Sequence, residues 1–258
     1  MKTIELKKIE HTVKIGDVCG DIEPNITEDS LFAVDGEVIG FYLKEIPKDL
    51  AKFVEVANAE LLSDRVPKSV MGRTAGSRGE ADQVLQFSTI LGGVPPRPHM
   101  KRPYPSISSV HQVKSAQTFI KAMLLAARES EKIIEELTPN IYARQKQIIS
   151  EKVPPKFRFG KLFTSSISNF NIAASYHRDA ANLEGCVNVI IAKKHNARGG
   201  NTTVPDYGAT VDSRDNSMLV YPAWRNVHGV TPIRPTAEGG YRNSLVFYPL
   251  KAFNNYWD

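Results

Sequence analysis

The sequence contains three side chains that together could bind a transition metal. His177 and Asp179 are separated by one residue, and His228 follows further along the chain. Residues two apart in an extended strand project from the same face, so His177 and Asp179 could reach one ion, and a second strand alongside would add His228. Two imidazoles and one carboxylate leave other positions of the ion open, as in iron(II) centres that activate oxygen. We therefore predict that these three residues are the metal ligands of a catalytic site.

An arginine further along the chain, Arg242, is the predicted anchor for an anionic co-substrate. A dicarboxylate bound to the metal at one end needs its distal carboxylate matched by a planar set of donors, which a guanidinium supplies and an ammonium does not. If residues 239–248 form a strand, Arg242 and Ser244 share a face, and the Ser244 hydroxyl adds a donor beside the guanidinium. Arg234 is the rival anchor, but flanking prolines favour a loop there. We assign the role to Arg242.

Short β-type runs from Phe163 onward would position these residues. They include residues 186–192, 218–221 and 243–248, and Gly, Pro, Asn and Asp separate them. Many short strands with turn signals favour a sandwich or barrel whose edges are closed, as in a jelly roll. We predict an α+β fold with a double-stranded β-helix core, a cupin-like jelly roll.

The N-terminal half predicts a mixture of helices and strands. Residues 31–43 read as a hairpin turning at Asp35-Gly36, and residues 84–91 as a strand. Helices are predicted over residues 47–62, from Ser115 to 137, and over residues 141–152, with a proline-rich loop over residues 92–105. We predict one dioxygenase-type domain over residues 1–258. In it, helices of an N-terminal elaboration, residues 1–160, pack on one face of a metal-binding core, residues 161–258.

Composition places the chain among ordinary globular proteins. Its 258 residues are 41% hydrophobic and 24% charged, which is enough to bury a core. The sequence has no apolar run long enough to span a membrane, no signal-peptide pattern and only two distant cysteines, Cys19 and Cys186. We predict a cytoplasmic monomer without disulfides or a membrane partner, located in the host cytoplasm if a phage encodes it.

Positive charge suits an anionic partner, although many ordinary enzymes are equally basic. The formal net charge is +5 and the pI is about 9.1. Arg73 and Arg78 lie in a glycine-rich segment that permits close backbone approach, and other basic residues, Arg97, Lys101 and Arg102, lie in the proline-rich stretch. These segments are either phosphate-contacting loops or solvated ones.

Several runs match a known family in order and approximate spacing. They are His177-Arg178-Asp179-Ala180-Ala181-Asn182, Gly199-Gly200, Pro205-Asp206-Tyr207-Gly208, His228-Gly229-Val230-Thr231-Pro232 and Arg242-Asn243-Ser244-Leu245-Val246-Phe247-Tyr248. This C-terminal third resembles the catalytic core of the TET/JBP family of iron(II) and 2-oxoglutarate dependent dioxygenases. The resemblance is to family members of the phage or microbial type. The metal and arginine elements occur throughout the dioxygenase superfamily, so they indicate the chemistry better than the substrate.

The resemblance implies roles for individual residues. His177, Asp179 and His228 would hold Fe(II), and Arg242 with Ser244 would hold 2-oxoglutarate, with O2 as co-substrate. The substrate would be the methyl group of a pyrimidine in DNA, 5-methylcytosine or thymine.

The resemblance also implies residues that contact the substrate. Asn182 would contact the base, Tyr248 would stack near it, and Arg73 and Arg78 would grip the backbone. Leu250 stands where characterised animal members have a base-contacting histidine. Because an apolar side chain cannot donate to a base, thymine, a modified pyrimidine or a different recognition scheme becomes more plausible.

Two other functions fit the same sequence. One is a 2-oxoglutarate dependent hydroxylase of a protein side chain, an amino acid or a free nucleotide. The other is a non-catalytic β-domain that binds nucleic acid or a partner. The complete set of predicted ligand residues argues against the non-catalytic domain.

Overall fold

The computed structural model describes residues 1–73 and 87–257. The helices of these residues are α1 Lys48–Leu62, α2 Gln117–Leu137 and α3 Pro139–Lys152. The first strands in chain order are β1 Lys2–Glu5, β2 Ser30–Val34, β3 Glu37–Leu43, β4 Gly72–Arg73, β5 Phe87–Val94, β6 Ser106–Ile107, β7 Ser165–Phe170 and β8 Ala174–His177. The remaining strands are β9 Asn188–His195, β10 Ala197–Gly199, β11 Thr202–Val204, β12 Ala209–Val211, β13 Met218–Tyr221, β14 His228–Val230, β15 Ile233–Pro235 and β16 Tyr241–Tyr248.

Two facing sheets form the centre of the fold. Within the described residues, the main sheet has ten strands in the order β1-β2-β3-β13-β9-β16-β7-β5-β4, with β6 paired to β5. A smaller sheet has the order β12-β11-β14-β8, and β10 pairs with β15. Mixed helices and large, mostly antiparallel sheets confirm the predicted α+β class with a jelly-roll core.

The main sheet draws on both halves of the sequence. β3 pairs with β13, and β5 pairs with β7, so N-terminal strands flank the strands of the predicted core on both sides. The β2–β3 hairpin turns at Asp35 and Gly36, whose φ values of 51° and 78° are those that a two-residue hairpin turn requires. The division at residue 160 is therefore not a division of the sheet.

Alternation along the strands gives the main sheet two different faces. In β16, Leu245 and Phe247 belong to the core beneath the helices, whereas Arg242 and Ser244 face the smaller sheet and line a cavity. The same two-residue period appears in β9, whose Val189 and Ile191 lie in the helix-side core. One face of each strand therefore stabilises the fold, and the other carries polar chemistry.

The helices pack on one face of the main sheet, as predicted. α2 buries a stripe that includes Phe119, Met123 and Ile134 in the same cluster as Phe247 of the sheet. A large side chain buried in this way contributes about 1.5–3 kcal/mol, so this layer stabilises the sheet whose opposite face lines the cavity. α2 ends before Thr138, and Pro139 opens α3, because proline is tolerated in the first turn of a helix and not in its interior.

The predicted helices and strands agree with the structure except at their ends. The strand predicted over residues 84–91 is β5, which runs on to Val94 into the segment predicted as a proline-rich loop. Residues 84–86 and Arg78 lie outside the described residues. Cys19 and Cys186 are free and buried. Among the described residues, no helix combines the length and apolar character needed to cross a bilayer.

Candidate active site

The three predicted metal ligands converge between the two sheets. His177 ends β8 and His228 begins β14, and these two residues are directly paired in the antiparallel register. Asp179 follows β8 and places its Oδ1 3.4 Å from His177 Nε2 and 3.9 Å from His228 Nε2. One ligand atom from each residue lies within 4.8 Å of the other two, which is the spacing of a site for one metal ion.

Backbone contacts orient both imidazoles. His177 Nδ1 lies 2.8 Å from the Ser175 carbonyl, and His228 Nδ1 lies 3.0 Å from the Asn226 carbonyl. A carbonyl only accepts hydrogen bonds, so each Nδ1 carries a proton and each Nε2 is the nitrogen directed at the site. Metal-binding histidines are oriented in this way in many proteins.

The electrostatics of His228 and Asp179 favour a bound cation. Burial, together with neighbouring His177, lowers the pKa of His228 and keeps this imidazole neutral. Burial would raise the pKa of Asp179, but hydrogen bonds and charges from His177, His228 and Asn188 hold it below its usual value. The site thus combines a neutral imidazole with a carboxylate, both of which are competent ligands.

A cavity of about 500 Å³ opens beside the three residues. Its wall combines residues from the main sheet, the smaller sheet and the segment after β8. Known small-molecule sites enclose about 300–1,000 Å³, so the cavity can hold a co-substrate together with part of a substrate. Apolar side chains on the wall include Ile167, Ile190, Val230 and Val246.

Arg242 lies on the cavity wall and is buried, with 3% of its surface exposed. Its Nε donates to Ser213 Oγ at 2.9 Å, and Ser244 is its neighbour on the same face. Burial lowers the pKa of Arg242 to about 10, so the guanidinium is still charged at neutral pH. No carboxylate pairs with it within residues 1–73 and 87–257. A buried cation without a counter-ion fits an anionic ligand.

Arg234, the rival anchor, is placed differently. It lies in β15 and pairs through Nη2 with Asp21 at 2.7 Å, at the protein surface. Of the two candidate anchors, Arg242 is therefore the one that lines the cavity.

The Gly199-Gly200 pair allows Arg242 to occupy its position. Gly200 has a φ of +72°, and a Cβ there would lie 3.1 Å from both Cδ and Nε of Arg242. Gly199 has a φ of +76°, and a Cβ there would meet the Pro232 carbonyl oxygen. Two consecutive residues in this conformation favour glycine, so the backbone can pass close beside the arginine.

We expect Gly200→Ala to weaken 2-oxoglutarate binding. The new methyl group strains the backbone and displaces the guanidinium, so the KM for 2-oxoglutarate should rise about tenfold. The matched control is Gly239→Ala, which has a similar φ of +71° but open space around the added Cβ. Steady-state kinetics would test both variants, and an equal KM in both would contradict this role of Gly200.

The predicted substrate residues fall into two groups. Asn182, Tyr248 and Leu250 all line the cavity near the three ligands. Burial raises the pKa of Tyr248 to about 12, and the positive charge of Arg97 opposes this rise. Arg73 lies in β4 and pairs with Phe87 at the end of the main sheet, while Arg78 lies outside the described residues. The roles of all these residues stay predictions.

Two residues of the site were not predicted from the sequence. Asn188 donates from Nδ2 to Asp179 Oδ2 at 3.0 Å, and Ser213 accepts from Arg242. Asn188 begins β9, whose sequence is that of an ordinary buried strand, and Ser213 follows β12 in a polar loop. No spacing in the sequence marks either residue.

Comparison with known proteins identifies the family. Residues 97–251 match the sequence model of the TET/JBP oxygenase domain of the 2-oxoglutarate and iron dependent dioxygenase superfamily. The chain belongs to the TET/JBP family. This TET/JBP protein is therefore an Fe(II) and 2-oxoglutarate dependent dioxygenase. The three converging ligand atoms fit the iron, and the buried Arg242, which has no carboxylate partner within the described residues, fits the distal carboxylate of 2-oxoglutarate.

Three solved structures are similar to the TET/JBP protein at low sequence identity. NgTET1 in complex with 5mC DNA superposes with a TM-score of 0.60 at 14% identity, over 93% of this chain and 84% of that chain. A 2OG-Fe(II) oxygenase family protein from Burkholderia pseudomallei gives 0.49 at 15% identity, over 83% and 86% of the two chains. A full-length Neurospora crassa protein in complex with alpha-KG gives 0.43 at 14% identity, over 81% and 74%. No curated protein matches the sequence.

Proposed function

We propose that this dioxygenase hydroxylates the methyl group of a pyrimidine in DNA, either 5-methylcytosine or thymine. The observation on which the proposal depends is the cavity wall next to the three ligands. An aromatic ring, an amide and an apolar side chain lie there together, from Tyr248, Asn182 and Leu250. A flat base bearing a methyl group suits such a wall. NgTET1, the structural relative with the same fold, was solved with 5mC DNA.

We assign the two cofactor sites to the residues that converge in the cavity. His177, Asp179 and His228 would hold Fe(II), and Arg242 with Ser244 would bind the distal carboxylate of 2-oxoglutarate. When bound, iron and 2-oxoglutarate would supply the oxidation: the keto acid would lose CO2 and take up one atom of O2 to give succinate, and the other atom would enter a C–H bond of the substrate to give an alcohol.

The chain itself positions the reactants and limits access of water. Arg242 and Ser244 fix one end of the keto acid, because β16 holds both on one face. The apolar wall formed by Ile190 and Val246 excludes water from the space beside the ligands.

Leu250 bears on which base is oxidised. Its side chain lines the cavity and is 7% exposed, and its backbone forms an isolated bridge with Asn182. An alkyl side chain cannot form a hydrogen bond with an exocyclic amino or carbonyl group, so polar recognition of the base at this wall is left to Asn182 and the Tyr248 hydroxyl. We therefore include thymine on equal terms with 5-methylcytosine.

Basic residues near the cavity suit a polymeric substrate. Arg97 and Arg102 are joined by backbone hydrogen bonds of 2.6 and 3.1 Å, and Arg97 lies close enough to Tyr248 to influence its hydroxyl. A base inside a duplex must leave the stack to reach the iron, at a cost of a few kcal/mol, and phosphate contacts offset part of it. We propose that Arg97 and Arg102 contact phosphates, and Arg73 and Arg78 stay predicted contacts.

The test is direct analysis of oxidised bases. The iron-loaded enzyme is incubated with 2-oxoglutarate, ascorbate and oligonucleotides that are identical except for one position, which holds 5-methylcytosine, thymine or cytosine. Digestion and mass spectrometry should show a gain of one oxygen on a methyl-bearing base, with an equal amount of succinate. The cytosine oligonucleotide should give only the background succinate.

Two further arms separate the DNA proposal from its alternative. The same bases are supplied as free nucleotides, and Arg97→Gln/Arg102→Gln is assayed beside the wild type. Oxidation of the polymer alone, weakened in the double variant, supports DNA as the substrate. Oxidation of free nucleotides at an equal rate, or no oxidised pyrimidine in any arm, would overturn it.

A further inference from the structure

Two buried asparagines form a chain of hydrogen bonds behind Asp179. Asn182 donates from Nδ2 to Asn188 Oδ1 at 2.8 Å, and Asn188 donates from Nδ2 to Asp179 Oδ2 at 3.0 Å. Each asparagine is 4% exposed. Asp179 Oδ1 faces the two imidazoles, so the chain reaches the oxygen that points away from them.

The chain has a fixed direction. A primary amide has a donor end and an acceptor end, and Asn188 uses one end for each neighbour. While Asn182 donates to its oxygen, the nitrogen of Asn188 must face Asp179. The Asp179 carboxylate therefore accepts a hydrogen bond at Oδ2, and Oδ1 is left to bind a cation.

Backbone contacts hold both asparagines in place. Asn182 donates its backbone N–H to the Asp179 carbonyl at 2.9 Å, and it forms an isolated bridge with Leu250. Asn188 starts β9, where it pairs with Tyr221 of the neighbouring strand. The amides therefore belong to the rigid sheet and its adjoining turn, which makes them suitable for holding a third side chain.

We propose that Asn188 is a positioning residue for the Asp179 carboxylate and that Asn182 sets the direction in which the Asn188 amide points. Asn182 uses only its amide nitrogen in this chain, so its oxygen is left for the cavity. Contacts behind a metal ligand orient it before the ion arrives, and their loss typically weakens metal affinity about 10–100-fold. The proposal rests on the dioxygenase site and does not depend on the identity of the substrate.

The first experiment removes the donor of Asn188. Asn188→Leu keeps the number and branching of the side-chain heavy atoms and leaves Asp179 Oδ2 without its partner. Binding of Mn(II) to the metal-free protein is measured by electron paramagnetic resonance, without 2-oxoglutarate and without DNA. We expect the Kd for Mn(II) to rise at least about tenfold. A Kd within threefold of the wild-type value would overturn the role of Asn188.

The second experiment reverses the chain. Asn182→Asp preserves shape but offers only acceptors, so it competes with Asp179 for the single donor end of Asn188. Adding a negative charge near a cation site should tighten Mn(II) binding by simple attraction, whereas the hydrogen-bond chain predicts weaker binding. This variant also serves if Asn188→Leu fails to fold. Unchanged or tighter binding would refute the direction that we assign to the chain.

A second buried pair of asparagines provides matched controls. Asn243 donates to Asn58 Oδ1 at 2.7 Å, and Asn58 is 2% exposed on α1, on the helix side of the main sheet. Asn58→Leu and Asn58→Asp make the same chemical changes away from the cavity. Thermal unfolding should report similar destabilisation in both pairs, while Mn(II) affinity should fall only in the Asn188 and Asn182 variants. An equal fall in the Asn58 variants would mean that general loosening of the fold explains the effect.

Discussion

Replacing Asp179 with alanine should abolish turnover of 2-oxoglutarate while leaving the protein folded. Asp179 supplies the only carboxylate among the three ligand residues that converge in the described part of the chain. Losing a contact behind a ligand typically reduces activity about 10–100-fold, so losing the ligand itself should exceed about 100-fold. Asp179 is partly exposed and lies after β8, outside the apolar clusters. Succinate formation and thermal unfolding would be measured side by side.

A second acidic residue makes the comparison specific. Asp49 lies on α1, is exposed and pairs with Lys52 across one helical turn. Asp49→Ala should keep wild-type turnover and Mn(II) affinity, because exposed ion pairs contribute little and this one is remote from the cavity. Asp179→Asn, which preserves shape, covers the case in which the alanine variant is unstable. Wild-type turnover in either folded Asp179 variant would show that the carboxylate is not a metal ligand.

The fold was predictable where hydrophobic patterns repeat strongly. The apolar stripe of α2 and the Asp35-Gly36 turn each follow from the preferences of a few neighbouring residues. The tertiary structure keeps the same helix and the same turn, so local and long-range contacts favour one conformation. The division of the chain at residue 160 was harder to judge. Which strands share a sheet depends on long-range pairing, and no local pattern shows that β3 joins β13 or that β5 joins β7.

The candidate metal ligands could be proposed from the sequence because metal binding restricts the residue types. Histidine and aspartate with a spacing of two, followed by histidine and arginine, leave few other readings, and the structure brings all four into one cavity. Asn188 could not be found in this way. Asparagine is common in turns and strands, and its importance arises only from distances across the fold.

Replacing Arg242 with methionine should weaken 2-oxoglutarate binding strongly but change the stability of the protein little. The guanidinium is a buried cation without a counter-ion in the described residues, so its removal relieves desolvation, although Ser213 loses its hydrogen-bond partner. We expect the free energy of unfolding of the protein without 2-oxoglutarate to change by less than about 1 kcal/mol. Removing one partner of a buried charge pair costs about 2 kcal/mol or more, so the Kd for 2-oxoglutarate should rise at least about 30-fold.

Arg242→Lys and Arg234→Met are the variants to compare with Arg242→Met. Lysine keeps the charge but lacks the planar pair of donors. The affinity of the Arg242→Lys variant for 2-oxoglutarate should therefore lie between those of the wild type and the methionine variant. Arg234 pairs with Asp21 at the surface, so Arg234→Met should bind 2-oxoglutarate as the wild type does. Calorimetric titration with Mn(II) present would measure all three variants. If Arg234→Met lost affinity and Arg242→Met kept it, the assignment of Arg242 as the anchor would be wrong, although of these two arginines Arg242 is the one that lines the cavity beside the predicted iron ligands.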